Sequence, residues 1–155
     1  MAAGEQHHAG YLVSDDPARL DPVAVHGYLT RSYWSPGIPI DLVRRALAAS
    51  FCVGAYAADG RQVGLVRVIS DHATYAYLCD VYVLEEHRGR GLAQAMLRFT
   101  LAHPRLQGLR SWNLRTRDAH PLYARFGFKP VEQPENHMTL RFPDPYRQTQ
   151  PDSGR

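Results

Sequence analysis

The stretch DVYVLEEHRGRGLAQAML, from Asp80 to Leu97, combines residue types that suit binding of an anion. An apolar run ends, glycines follow at 89 and 91, and apolar positions at Leu92, Ala95, Met96 and Phe99 predict a helix behind them. Bare N–H groups at a helix N-terminus attract anions, helped by the helix dipole. Gly89 and Gly91 let the main chain approach a phosphate closely, and Arg88 and Arg90 add charge. A pyrophosphate needs converging donors more than it needs any one side chain. The run is not G-x-x-x-x-G-K-[ST], because no Lys-Ser or Lys-Thr follows, nor G-x-G-x-x-G, because Gly91 leads into Leu92-Ala93-Gln94. It reads as [QR]-x-x-G-x-[GA] over Arg88, Gly89, Arg90, Gly91, Leu92 and Ala93.

Three titratable residues join this loop as candidates. Asp80 stands among apolar neighbours, where an unpaired charge is costly, so it is either paired, with Arg67 as the partner, or raised in pKa to act as a general base. Strict alternation puts Asp80 on one face with Leu78 and Tyr82, and Cys79, Val81 and Val83 on the other. Tyr123 is either a packing aromatic beside Phe126 and Phe128 or a proton donor. His120 is either a surface helix cap or a proton shuttle.

Charge supports an anionic partner bound by one region. Residues 1–86 hold six Lys and Arg against ten Asp and Glu. Residues 87–129 hold nine against one, and residues 130–155 three against four. The basic residues of 87–129 alternate through a predicted strand and helix instead of forming a stripe with stacking aromatics, so nucleic-acid binding is not expected. No HExxH or Cys/His spacing points to a metal. No apolar run is long enough to span a bilayer, and no signal peptide is read at the N-terminus. Cys52 and Cys79 lie in apolar runs and read as buried reduced thiols of a cytoplasmic protein.

The elements that must position these groups follow one another without a linker. Residues 1–9 read as a disordered leader, 10–142 as one domain and 143–155 as a flexible tail. Within the domain, Tyr11–Ser14 reads as a short strand, Asp21-Pro22 opens a helix, and Ile40–Ala49 forms a second. Phe51–Ala57 and Gln62–Ser70 read as strands joined at Asp59-Gly60, and Tyr75–Leu84 as a central strand. A helix from Gly91 to about 103, a strand at 111–116, a short helix at 121–126 and a final strand at 138–142 complete the order. The expected class is α+β, a mixed α/β sandwich with a central, mostly antiparallel sheet and about four helices.

On the Arg88–Ala93 loop after a strand, and on DAHPLYARFGF from Asp118 to Phe128, the chain resembles the GNAT superfamily of acetyl-CoA-dependent N-acetyltransferases. Ala119, Tyr123, Gly127 and Phe128 fit its A-x-x-x-Y-x-x-x-G-F signature, and the likeness covers about residues 10–142. The resemblance implies a GNAT-like fold and a loop that binds the cofactor pyrophosphate. It implies that Tyr123 protonates the departing thiolate. It also implies a strand that splays near its end, so that backbone groups at Val81 and Val83 meet the pantetheine arm and one N–H polarises the thioester. Thr116 stands where the family often places an Asn that contacts the cofactor.

The resemblance places acceptor-binding residues in the segment between the first two helices and on the central strands. The candidates are Tyr33 and Trp34 with Ile38 and Pro39, and Asp71, His72, Tyr75 and Tyr77. An aromatic and acidic lining suits a cationic amine. The expected activity is transfer of an acetyl group from acetyl-CoA to a primary amine of a small molecule, by direct attack in a ternary complex and without a metal. A non-catalytic acyl-CoA-binding sensor and a protein-lysine acetyltransferase are the alternatives, and the resemblance allows a homodimer.

Overall fold

The computed structural model describes residues 3–146. The chain divides into two compact units, one ending at Arg115 and one starting at Thr116, where the sequence led us to expect a single domain.

The first unit is built on a six-stranded sheet. Its strands are β1 (Glu5–His8), β2 (Tyr11–Ser14), β3 (Phe51–Tyr56), β4 (Gln62–Ser70), β5 (Tyr75–Val83) and β6 (Ser111–Leu114). They lie side by side in chain order, antiparallel from β1 to β5, with β6 parallel to β5. Three helices belong to it: α1 (Pro22–Leu29), α2 (Ile40–Ala48) and α3 (Leu92–Leu101). The second unit holds α4 (His120–Ala124). A six-stranded mixed sheet with four helices is the α+β class expected.

Local chemistry accounts for most boundaries. The Asp21 carboxylate accepts from the N–H groups of Val23 and Ala24, and Pro22 fills the first helical position, so α1 starts where a cap and a preset φ coincide. The helix stops at Leu29 because the hydroxyls of Ser32 and Ser35 both donate to the Leu29 carbonyl. Gly60, at φ 87°, closes the β3–β4 hairpin at the expected dipeptide.

One face of the sheet carries α1 and α2. Val25, Leu29, Val43 and Leu47 from the helices close a core with Cys52, Leu65 and Tyr82 from the strands. The other face receives α3 through Leu92, Ala95, Met96 and Leu97, all buried. Gly64 makes that approach possible. A Cβ there would lie 2.9 Å from the Met96 Cε and 3.1 Å from the Tyr82 carbonyl oxygen.

Two expectations need correction. The expected disordered leader contains β1, which pairs with β2 around the Ala9–Gly10 turn, both residues at positive φ. Glu5–His8 looks loose in sequence because an edge strand satisfies its backbone through the ladder and needs no apolar side chain. The expected strand at 138–142 is not formed, and Met138, Leu140 and Phe142 are exposed. Its alternation of apolar and polar residues is a side-chain pattern, whereas a strand also needs a partner's backbone. The expected tail lies outside the described residues from 147 onward.

Candidate functional site

The loop from Arg88 to Ala93 turns on its two glycines. Gly89 and Gly91 have φ of 76° and 71°, left-handed values that glycine adopts without strain. Gly91 is the N-cap of α3, and no side chain caps the helix. The first-turn N–H groups, uncapped by any side chain, stand at the positive end of the helix dipole, where anions are favoured.

The two arginines hold the loop as well as charging it. Arg88 Nε donates to the Val83 carbonyl at 2.9 Å, tying the loop to the end of β5, and its Nη2 reaches the Tyr28 hydroxyl at 3.4 Å. Arg90 donates to the Tyr11 hydroxyl, which also bonds His87 Nδ1 at 2.8 Å. His8 Nε2 sits 2.8 Å from the Arg90 carbonyl, so its N–H donates there. The sequence reading missed Tyr11, His8 and His87 as supports of this loop. His8 stood in the segment read as a leader, Tyr11 in a predicted strand and His87 beside the loop, and the bonded pairs lie 76 to 82 residues apart in the chain.

The strand leading into the loop is bulged. Arg67 pairs with Cys79 and Leu65 with Tyr82, so Asp80 and Val81 together face the single residue Val66. Asp80 has φ 48°, a left-handed backbone that is uncommon outside glycine and is tolerated best by Asn and Asp. The bulge overturns strict alternation. Asp80 turns to the side of the sheet that carries Arg67, instead of sharing a face with Leu78. On the other side of β5, the ladder to β6 ends at the pair Leu78–Leu114. Cys79–Val83, which includes Val81 and Val83, therefore has no β6 partner.

Asp80 is fully engaged. One oxygen accepts from Arg67 Nε at 2.7 Å and the other from Trp34 Nε1 at 2.8 Å. The Arg67 and Asp80 side chains are only 16% and 9% exposed. Burial works against the Arg67 charge, yet the Asp80 carboxylate outweighs it and the guanidinium pKa is raised. Arg67 Nη1 also donates to the Ser50 hydroxyl.

Trp34 projects from the turn held by Ser32 and Ser35, packed edge-on to Tyr33 and tilted against Tyr28, which stacks on Tyr82 at 3.9 Å. Tyr33 and Trp34 remain 47% and 40% exposed. They form one cluster with Asp80.

His72 and Tyr75 do not join it. Tyr75 is five strand residues before Asp80, about 16 Å away at the rise of an extended chain. His72 lies in the β4–β5 hairpin, edge-on to Phe51 and near the Arg105 carbonyl. Asp71 closes that hairpin, held well below the usual carboxylate range by hydrogen bonds from the Thr74 hydroxyl, then the Thr74 and Ala73 N–H groups.

Burial pushes the Cys52 thiol up to about 12 and the Cys79 thiol up to about 11, which makes both poor nucleophiles. They flank Arg67 on either side in the ladder, so two strand spacings, about 9.5 Å, separate their backbones. That exceeds what a disulfide spans.

In the second unit, Ala119 is the N-cap of α4, and exposed His120 is the first residue of the helix. The Thr116 hydroxyl accepts from the Ala119 N–H at 3.0 Å. Tyr123 is buried, and its ring meets Phe128 edge-on at 6.0 Å. Gly127 turns the chain after the helix at φ 91°. Among the described residues no cluster of His, Cys, Asp and Glu could hold a metal, and no helix is long and apolar enough to cross a membrane.

The family model described as an acetyltransferase (GNAT) domain matches residues 49–130, which include the bulged strand, the glycine loop and α4. A curated protein of Gibberella zeae, named as a candidate acetyltransferase, is 36% identical over 137 residues, covering 74% of this chain and 76% of its own. The crystal structure of a candidate GNAT-family acetyltransferase from Xanthomonas campestris pv. campestris is 48% identical. It superposes with a TM-score of 0.86 over 93% of this chain and 99% of its own. A candidate acetyltransferase from Deinococcus radiodurans matches at 26% identity and a TM-score of 0.69, over 88% and 91% of the two chains. With the family model covering residues 49–130, the 36% identity over 74% of the chain and the shared fold, the chain belongs to the GNAT acetyltransferase family.

Proposed function

We propose that this protein transfers the acetyl group of acetyl-CoA to a primary amine of a small molecule, by direct attack in a ternary complex. The observation that carries this reading is an uncapped helix N-terminus behind two left-handed glycines, adjoining a stretch of β5 with no β6 partner. The first provides N–H donors for a pyrophosphate, and Arg88–Ala93 is the segment assigned to it. The second leaves the backbone at Val81 and Val83 without a β6 partner, the Val83 carbonyl meanwhile accepting from Arg88, and is the stretch proposed to meet an extended pantetheine arm and the thioester carbonyl. Thr116, whose hydroxyl caps a turn, is the remaining proposed contact to the arm.

In the proposed reaction the amine nitrogen attacks the thioester carbon, the C–N bond forms and the C–S bond breaks. A strand N–H stabilises the developing oxyanion. The amine proton leaves to water or to His120, and Tyr123 protonates the thiolate. The exposed aromatic faces of Tyr33 and Trp34 suit the cationic form of the acceptor before it loses its proton. No acyl-enzyme is needed, in keeping with the raised pKa of both thiols.

Thiol release from acetyl-CoA against a panel of amines tests the reading. Wild-type protein is expected to release CoA with at least one amine. Tyr123→Phe is expected to lower kcat by about 10²-fold or more with acetyl-CoA affinity nearly unchanged. Acetyl-CoA binding without thiol release across the panel would overturn the catalytic reading.

A further inference from the structure

Asp80 combines four features that packing alone does not require. It occupies a left-handed backbone position, it lies in the bulge, it is ion-paired to a partly buried arginine, and it accepts a hydrogen bond from an exposed tryptophan. A carboxylate that only neutralised Arg67 could do so from a regular strand position. Strained backbone of this kind persists where the surroundings over-determine it, and it concentrates at functional sites.

Resting on the reading above, we propose that Asp80 is a positioning residue that joins the two halves of the active site, and that Trp34 is the wall of the acceptor pocket it sets. The Arg67 bond fixes one carboxylate oxygen to β4, and the Trp34 bond fixes the other to the segment between α1 and α2. The Trp34 bond, to an oxygen that Asn also offers, and a residue type that tolerates a positive φ keep the backbone at position 80 left-handed. The N–H of Val81 then points from a fixed bulge, at the edge of the stretch that β6 leaves open. The same carboxylate sets the indole of Trp34 over the acceptor side. A change in the acceptor segment is thus felt at the thioester-facing strand through a single side chain.

Asp80 is also excluded as the proton acceptor on this reading. Its two oxygens already receive an N–H each, one from a cation, and protonation would break the ion pair. Its charge, cancelled by Arg67, is not the attraction for a cationic amine; the aromatic faces of Tyr33 and Trp34 supply that.

The test separates side-chain geometry from charge. Asp80→Asn with Arg67→Met removes the ion pair together, leaves no buried unpaired guanidinium, and keeps both an oxygen for Trp34 and a residue that tolerates the left-handed backbone. The Ser50 hydroxyl stays satisfied by the Ala46 carbonyl. This double variant is expected within about threefold of wild-type kcat, with the acidic limb of the pH–rate profile unmoved. Asp80→Ala with Arg67→Met loses the latch and strains the bulge. It is expected to lose about 10- to 100-fold in kcat. Trp34→Phe is expected to raise KM for the amine about tenfold while kcat changes little.

Equal losses of 10²-fold or more in the Asn and Ala variants, with the acidic limb gone, would make Asp80 the base and overturn the proposal. Wild-type kinetics in the Ala variant would overturn it too. Two readouts need no turnover: amide exchange at Val81 and Tyr82, and the Trp34 indole N–H resonance. Both should move in the Ala variant and stay in the Asn variant. If they behave so while no amine is acetylated, the acetyltransferase reading fails and the latch stands; if they move equally in both, the latch fails.

Discussion

Replacing Gly91 by alanine isolates what the loop geometry does. Gly91 sits at φ 71° and ψ 16°, and an L-residue in that region is disfavoured by about 1–2 kcal/mol. The added Cβ would come 3.3 Å from His8 Nε2, tighter than ordinary contact, so His8 must give by a few tenths of an ångström and loosen its bond to the Arg90 carbonyl. For a chain of this size the strain alone corresponds to a fall in Tm of about 3–8 °C. Gly108 provides the matched control. Its φ of 75° imposes the same strain, nothing lies within 4 Å of its Cβ, and it is remote in sequence from the loop.

Thermal unfolding and titration calorimetry with acetyl-CoA, on wild type, Gly91→Ala and Gly108→Ala, complete the experiment. Both variants should lose stability by similar amounts. Only Gly91→Ala should weaken acetyl-CoA, by tenfold or more, because relaxing the backbone turns the loop N–H groups away from the pyrophosphate. Unchanged acetyl-CoA affinity in Gly91→Ala, with Tm lowered as in Gly108→Ala, would refute the assignment of this helix end to the phosphates. So would an equal loss of affinity in both.

Two further outcomes follow from the same network and from the buried acids. Tyr11→Phe removes the hydroxyl shared by Arg90 and His87, and acetyl-CoA Kd should rise about 3- to 10-fold, the net worth of one hydrogen bond; an unchanged Kd means the loop does not need this support. Stability should fall as pH rises above about 9. Burial holds Cys79 protonated to about 11 and Cys52 to about 12 against an ordinary 9.0, and it raises Tyr56 and Tyr82 as well. The unfolded chain releases these protons first, so the stabilisation is complete below pH 9 and is lost through pH 11–12, at about 1.4 kcal/mol per pH unit for each group. Urea unfolding at pH 8 through 11 reads this directly, and a flat profile contradicts it.

Local signals were legible where the local chain makes its own structure. Asp21 and Pro22 start α1 because a cap and a fixed φ act within four residues. The Asp59-Gly60 turn and the loop glycines follow from which residues accept a positive φ. The hairpin signal at Asp59-Gly60 carried β4 from Gln62 to Ser70 with its expected boundaries, and alternation was read along β5. The same alternation misplaced Asp80, because a bulge is a difference in count between two strands and neither strand shows it alone. It also suggested a strand at 138–142, where the apolar pattern is present and the pairing is not.

The sequence by itself determined the class of fold, the position of the glycine loop after the central strand, and the family to which these motifs belong. Each rests on spacing within a few residues, which the chain carries whatever it packs against. Only the tertiary structure decided that Arg88 and Arg90 are bound by Val83, Tyr28 and Tyr11, and that His8 belongs to the loop it caps. The sequence named Arg67 as one possible partner of Asp80, whereas only the tertiary structure showed that pair formed and added Trp34 to it, over separations of 13 and 46 residues. Hydrogen bonds of that kind depend on strand register and on the direction in which a bulge turns a side chain. Both are fixed when the sheet pairs, and neither is written in any one segment.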